Sequence, residues 1–317
     1  MSVHLEIIHI TYPIQEHTPK HLQQILAIGD FDGVHLGHQE VIERSLRIAH
    51  QCDLPASIMT FHPHPREVLG QSKYRKLLTP LNKKMELFRN IGIDRTYIVH
   101  FDSAFMRLSP QQFVQEILIA LAVHSVVIGF DFTFGHLGQG NPDSLYALSQ
   151  EQFSIEVVKP YHIEDQKVSS TFIRDALHLG HIERVTKFLG RPYSLKGSVV
   201  QGHQRGRTIG FPTANIHLNE SYVIPMKGVY VVHAITRGIT YGGVMNIGVK
   251  PTFEQEAVET IEVHLFDFNQ DIYGEDIEVH ILQFLRHERK FDSIEQLVHH
   301  IHEDVELSHK FLNSLST

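Results

Sequence analysis

The chain has one cysteine, Cys52, and no tryptophan among its 317 residues. A lone thiol excludes an intramolecular disulfide and fits a reducing compartment, so a cytoplasmic location is expected. No stretch approaches the roughly 18 uninterrupted apolar residues of a spanning helix, and the opening MSVHLEIIHI has no basic segment leading into a long apolar one. No membrane partner is expected. Cationic residues are outnumbered, 28 Lys and Arg against 36 Asp and Glu, giving a net charge of −8 and a pI near 6.3. That balance argues against a nucleic-acid partner, which normally needs a basic face, while leaving room for a local phosphate pocket. The 25 histidines are not framed by cysteines or by H-E-x-x-H, so most are read as surface residues. What is present, 42% hydrophobic and 20% charged residues, is enough for two soluble cores; nothing in it sets an oligomeric state.

The most informative stretch is Ile28 to His38, IGDFDGVHLGH. The run before it, QILAIG from Gln24, is short, apolar and stopped by glycine, as in a buried parallel strand. From Leu36 the apolar residues Val41, Ile42, Leu46 and Ile48 fall among Gln39, Glu40, Glu43, Arg44 and Arg47, as on a helix with one buried face. The strand therefore turns directly into a helix. Gly29, Gly33 and Gly37 let backbone approach a ligand, and the helix start offers N–H groups and a positive dipole end to an anion. His35 and His38, three apart, can aim at one place and donate to phosphate oxygens. The turn is neither a P-loop nor a dinucleotide fingerprint. Two plainer readings stand beside the phosphate one: solvated histidines on a glycine-rich turn, or a zinc site, which would need further ligands.

Strands are expected at Ala56–Phe61, Arg95–Phe101, Ser125–Gly129 and Ile155–Val158, alternating with helices from Thr79-Pro80 to about Asn90, from Ser109-Pro110 to about Val123, and from Pro142. Such alternation predicts a Rossmann-like parallel sheet covered on both faces. HPHPRE places His64 and Arg66 beyond a strand's carboxyl end, where ligands bind in open α/β sheets, although a stiff solvated loop accounts for them equally well. The loop FDFTFGHLGQGN, Phe130 to Asn141, combines Asp131 with Phe132 and other aromatics and could stack a flat heterocycle; such aromatics are also common core plugs. VSSTFIR gathers Ser169, Ser170, Thr171 and Arg174 at a helix start, either a second anion site or a plain cap.

After a helical pair, Thr171–Leu179 and His181–Leu189, closed by Gly190-Arg191-Pro192, short strands follow at Tyr193–Val200, Gly228–Thr236, Thr240–Ile247, Thr260–Phe266 and Asp276–Leu285. This predicts an antiparallel barrel or sandwich, with a terminal helix capped by Ser293. GHQRGRTIGFPTAN spaces Gly202, Gly206 and Gly210 around Arg205 and Arg207, suiting a loop that closes on polyphosphate. Thr213 and Asn215 can offer oxygen to Mg²⁺, unless the segment is simply a hairpin connection. Alternation puts Glu262 and His264 opposite the apolar side of their strand, an arrangement that usually means only solvent exposure.

The HxGH turn resembles the nucleotidyltransferase superfamily, and GDFDGVHLGH resembles the adenylyltransferase module of prokaryotic bifunctional riboflavin kinase/FAD synthetases. VSSTFIR, the GHQRGRTIGFPTAN loop, NIGVKPTF, IEVHLFDF and FLRHERKF follow in that family's order. The resemblance implies an FMN adenylyltransferase domain over residues 1–185 and a riboflavin kinase barrel over residues 186–317. It implies FMN formation from riboflavin and then FAD formation from FMN, with ATP as co-substrate, Mg²⁺ as cofactor and pyrophosphate released in the second step. By resemblance Glu262 is the general base of the kinase, while His35, His38 and Arg174 meet charge on the triphosphate. Gly29, Asp30, Phe31, Gly37, Ser169, Ser170, Thr171, Gly202, Arg207, Gly210, Thr213 and Asn215 would line the ATP sites, Thr213 and Asn215 holding metal. His64, Arg66, Asp131, Phe132, Asn141, Arg286, Glu288 and Phe291 would contact flavin. A different nucleotidyltransferase, or a flavin-sensing or RNA-binding regulator on the same fold, are the rival readings.

Overall fold

The computed structural model describes residues 5–14, 23–202, 206, 209–250 and 258–315. The chain divides into two compact units, Met1–Ser170 and Thr171–Thr317.

In the first unit, β1 (Glu6–Ile10), β2 (Gln24–Ile28), β3 (Ala56–His62), β4 (Arg95–His100), β5 (Val123–Gly129) and β6 (Ser154–Val158) form one sheet in the order β1-β4-β3-β2-β5-β6. All its pairings are parallel. The β2 residues QILAI are all buried, and their alternate side chains enter two different cores. Leu26 and Ile28 pack with Val126, Ile128 and Phe113, while Ile25 and Ala27 pack with Ile42 and Phe88. Each side chain of this size contributes about 1.5–3 kcal/mol relative to exposure. The buried amide of Gln24 is satisfied by Tyr97, Ser57 and the Leu121 carbonyl.

Helices α1 (Leu36–Cys52), α2 (Leu81–Ile91) and α3 (Pro142–Ser149) follow β2, β3 and β5 in the chain. Ser109 caps its helix through a reciprocal bond with Gln112. Beyond Gln112 the segment is a π-helix, Phe113–Ile119, and it stops short of the expected Val123, which instead opens β5. Thr79 is not the cap of α2: Pro80 holds that position, and the Thr79 N–H donates to the Asp32 carboxylate at 3.1 Å. Strand β1 was not expected, because a half-exposed edge strand alternates too weakly to stand out. A two-residue hairpin, β7 (His162–Ile163) with β8 (Gln166–Lys167), was likewise unsignalled.

The second unit contains α4 (Ser170–His178, from its second residue onward) and α5 (Ile182–Leu189), then a closed barrel. Its strands are β9 (Tyr193–Val200), β10 (Ala214–Leu218), β11 (Gly228–Thr236), β12 (Ile239–Lys250), β13 (Val258–Leu265) and β14 (Asp276–Arg286), in the order β10-β13-β12-β11-β14-β9. All pairings are antiparallel. The sixth strand, β10, hides in sequence behind FPT, yet its backbone joins β9 to β13 and closes the barrel. Ile216, Met245, Ile247, Ile261, Val263 and Leu265 are buried, so the intervening residues of these strands face outward. The terminal helix α6 (Ile294–Leu315) lies on β12 and β11, and Ser293 accepts the Gln296 N–H at its start.

Candidate functional site

The turn from β2 into α1 is tightly built. Phe31, Gly33 and Val34 have φ of 50°, 94° and 40°, and a left-handed non-glycine costs about 1–3 kcal/mol. Side chains from other segments hold alternate carbonyls of the turn. Thr60 donates to the Asp30 carbonyl at 3.1 Å and Lys84 at 2.6 Å. The Ser170 hydroxyl donates to that of Asp32 at 2.8 Å, and the Gln39 amide to that of Val34 at 2.8 Å. Asp32, 2% exposed, accepts the N–H groups of Leu78 and Thr79.

His35 is the N-cap of α1, and its Nδ1 accepts the His38 N–H at 3.2 Å. A neutral ring accepting at Nδ1 carries its proton on Nε2, so this imidazole is a donor on its other side. The two rings stack 3.6 Å apart at 17°, and Phe31 meets His38 edge-on at 5.3 Å. Gly29 and Gly37 leave room for these rings: a Cβ would stand 3.1 Å from Phe31 and 3.3 Å from His35.

His64, 6% exposed, caps a single helical turn, stacks on Tyr74 and places Nε2 3.8 Å from the Asp30 carboxylate. Arg66 donates to the Tyr74 hydroxyl and lies over its ring. Burial pushes the Asp30 carboxyl up to about 6, against the pull of Lys84 and Arg66. Burial also lowers Lys84, while Asp32 and Asp30 work to keep it charged. The structure thus brings His64 and Arg66 to the turn. Asp131 pairs with Lys167 at 2.9 Å, Phe132 stacks on Phe134, and Asn141 caps α3. Ser169 is half-buried, Ser170 opens α4, Thr171 is exposed and Arg174 is buried within that helix.

Lys84 and Asp32 were not among the sequence-derived candidates. Lys84 looks like half of a surface Lys-Lys pair, but its spacing from Leu81, Met85 and Phe88 puts it on the buried stripe of α2. That spacing was the available signal.

On the barrel, strand register places Glu262 directly beside Asn215 on one neighbour and Asn246 on the other. Cross-strand partners of this kind lie about 4.5–5.5 Å apart at Cβ, so a half-buried carboxylate stands between two amides. Asn246 was missed as a candidate because its place opposite Glu262 depends on the register of the β12–β13 pairing. A Cβ on Gly202 would lie 2.2 Å from the Asn215 amide, and one on Gly206 would lie 3.5 Å from the Thr213 hydroxyl. Gly202 therefore packs against the Asn215 amide, and Gly206 against the Phe211 carbonyl with the Thr213 hydroxyl beyond it. Gly210 has φ of 89°, and the Pro212 carbonyl is bonded to His264 at 2.8 Å. A cleft of about 440 Å³ is lined by Gly202, Asn215, Thr260 and neighbouring residues. Gly248 leaves space between the Glu288 carboxylate and the Asn246 amide. Arg286 is committed to Asp304 of α6 at 2.7 Å, with Phe291 beside its guanidinium. Arg205 and Arg207 lie outside the described residues.

One chain thus carries a parallel sheet with an HxGH turn and a closed antiparallel barrel with a carboxylate between two amides. A family model described as FAD synthetase matches residues 17–172, and one described as riboflavin kinase matches residues 189–312. A bifunctional riboflavin kinase/FMN adenylyltransferase of Bacillus subtilis is 43% identical, covering 98% of this chain and 99% of its own length. The protein of the same name from Haemophilus influenzae is 38% identical over 91% and 94%. A crystal structure described as a macrolide-efflux protein from Streptococcus pneumoniae superposes with a TM-score of 0.88 at 33% identity, covering 95% of this chain and 99% of that one. Among the described residues no helix is long and apolar enough to cross a membrane. The chain belongs to the bifunctional riboflavin kinase/FMN adenylyltransferase family.

Proposed function

We propose that the barrel transfers the γ-phosphate of ATP to the ribityl 5′-hydroxyl of riboflavin, and that the sheet unit transfers AMP from a second ATP to the resulting FMN, giving FAD and pyrophosphate. The activities are assigned to residues 186–317 and 1–185 respectively, in the cytoplasm. The observation that carries the reading is Glu262 between Asn215 and Asn246, with Gly202 packed against the Asn215 amide. Glu262 takes the hydroxyl proton as the oxygen attacks phosphorus. Gly202, Arg207 and Gly210 line the ATP phosphates, and Arg286, Glu288 and Phe291 flank the flavin.

In adenylyl transfer an FMN phosphate oxygen attacks the α-phosphorus, so no protein nucleophile is required. His35 and His38 donate to the triphosphate, as do Ser169, Ser170, Thr171 and Arg174 by their likeness to the family's SSTxIR segment. Asp30 and Phe31 shape the nucleotide side of the turn, and His64, Arg66, Asp131, Phe132 and Asn141 receive the flavin. Mg²⁺ fits the donor set of the barrel: the Thr213 hydroxyl and Asn215 amide are hard oxygens, and an ion held mainly by substrate phosphates needs only one or two such groups. When bound, it neutralises phosphate charge.

The test is chromatography of purified protein incubated with riboflavin or with FMN, each with ATP and Mg²⁺. FAD is expected in both, and chelation of the metal is expected to stop both. FAD from neither would overturn the assignment.

A further inference from the structure

We propose that Lys84 is a positioning residue for adenylyl transfer, clamping the Asp30 carbonyl and thereby holding the turn that seats His35 and His38. The proposal rests on the reading of the first unit as an adenylyltransferase.

The argument starts from burial. A lysine only 4% exposed is costly unless its charge is paired and hydrogen-bonded. Lys84 is both, and its partners are the Asp30–Asp32 turn and Thr60 of the neighbouring strand β3. Its Nζ donates to the Asp30 carbonyl at 2.6 Å and to the Thr60 hydroxyl at 3.3 Å, and that hydroxyl donates to the same carbonyl at 3.1 Å. The three groups form a closed triangle on one oxygen, each bond polarising the next. Downstream of that oxygen the backbone passes through left-handed Phe31, Gly33 and Val34. A β-branched residue such as Val34 has little reason to stay there unless its surroundings over-determine it. The next residue is the His35 cap, whose ring stacks on His38.

Ser170 and Gln39 restrain the later carbonyls with neutral groups; Lys84 restrains the first with a charge. That charge also stands with Asp30 and Asp32, whose carboxylates both act to keep it charged. Lys84 thus answers two problems at once: it fixes a strained turn and neutralises the carboxylates within it. It touches neither histidine, so its effect on the reaction passes through geometry.

The test compares Lys84→Met and Lys84→Arg in the full-length protein, measuring FAD formation from FMN, riboflavin phosphorylation, and ATP binding by calorimetry to count competent sites. For Lys84→Met, kcat for FAD formation per competent site is expected to fall about 100-fold, the loss associated with an ångström-scale misplacement. Riboflavin phosphorylation should stay within about twofold, and Lys84→Arg should recover part of the loss. Lys84→Met with full kcat per competent site, however few such sites remain, would reduce Lys84 to a structural role and overturn the proposal.

Should Lys84→Met fail to fold, Thr60→Val removes the bridging hydroxyl and leaves the charge in place. A fall of about three- to tenfold in kcat is expected, and wild-type kcat would overturn the proposal. Wild-type protein that makes no FAD at all would overturn the underlying reading and this proposal together. Equal FAD formation by wild type and Lys84→Met would overturn this proposal alone.

Discussion

On the proposed reading, the two units would handle phosphate from opposite kinds of surface. In the sheet unit the proposed site is a turn with left-handed residues whose anchors, Lys84, Asp32 and Thr60, are buried. In the barrel the site lies on the outer face, where register alone lines up Asn215, Glu262 and Asn246, and glycines rather than charges make room. One site is held by buried side chains, the other by strand pairing. The first should be sensitive to changes in anchors that touch no substrate, the second to changes in backbone spacing.

The sharpest break in this comparison is Glu262→Gln. It keeps the shape and the amide neighbours but removes the proposed base, so riboflavin phosphorylation should drop ~10²–10⁴-fold while FAD formation from supplied FMN is unchanged. His38→Ala should do the reverse, lowering FAD formation ~10²–10³-fold, as loss of a charge-stabilising donor does, and leaving the kinase intact. Gly202→Ala tests the spacing claim directly. Its methyl would overlap the Asn215 amide, and the displaced side chain should cost the kinase up to about 10²-fold with no change in adenylyl transfer.

The smallest effect concerns pH. Asp30 rises from 3.8 to about 6, chiefly through burial, so the folded protein keeps a proton that the unfolded chain has released. That contribution to stability is complete below pH 3.8 and is lost as pH rises through about 6. Asp30→Asn should flatten this part of the stability curve, as read from thermal unfolding at about pH 5 and about pH 7.

The βα turn, the strand alternation and the change to a barrel were legible because each has a local period or a punctuating residue. What was hidden depended on distant partners. Strand β10 follows immediately on Pro212-Thr213 and declares itself only by closing the barrel, and Asn246 acquires meaning only from its partner Glu262. The π-helical Phe113–Ile119 begins under an ordinary Ser-Pro cap, so its early end carries no local signal. Lys84 is the instructive case: hydrophobic spacing put it on the buried face of α2, and residue type argued the opposite. The paired Asp30 and Asp32, far along the chain, decide which of the two prevails.

The central claim is that the two reactions run at separate centres, one at Glu262 and the other at His35 and His38. It is tested most directly by giving riboflavin, ATP and Mg²⁺ to Glu262→Gln, to His38→Ala, and to an equimolar mixture of the two. The account predicts little FAD from either variant alone and restored FAD from the mixture, as FMN made by one protein is adenylylated by the other. A mixture no better than its parts would contradict it.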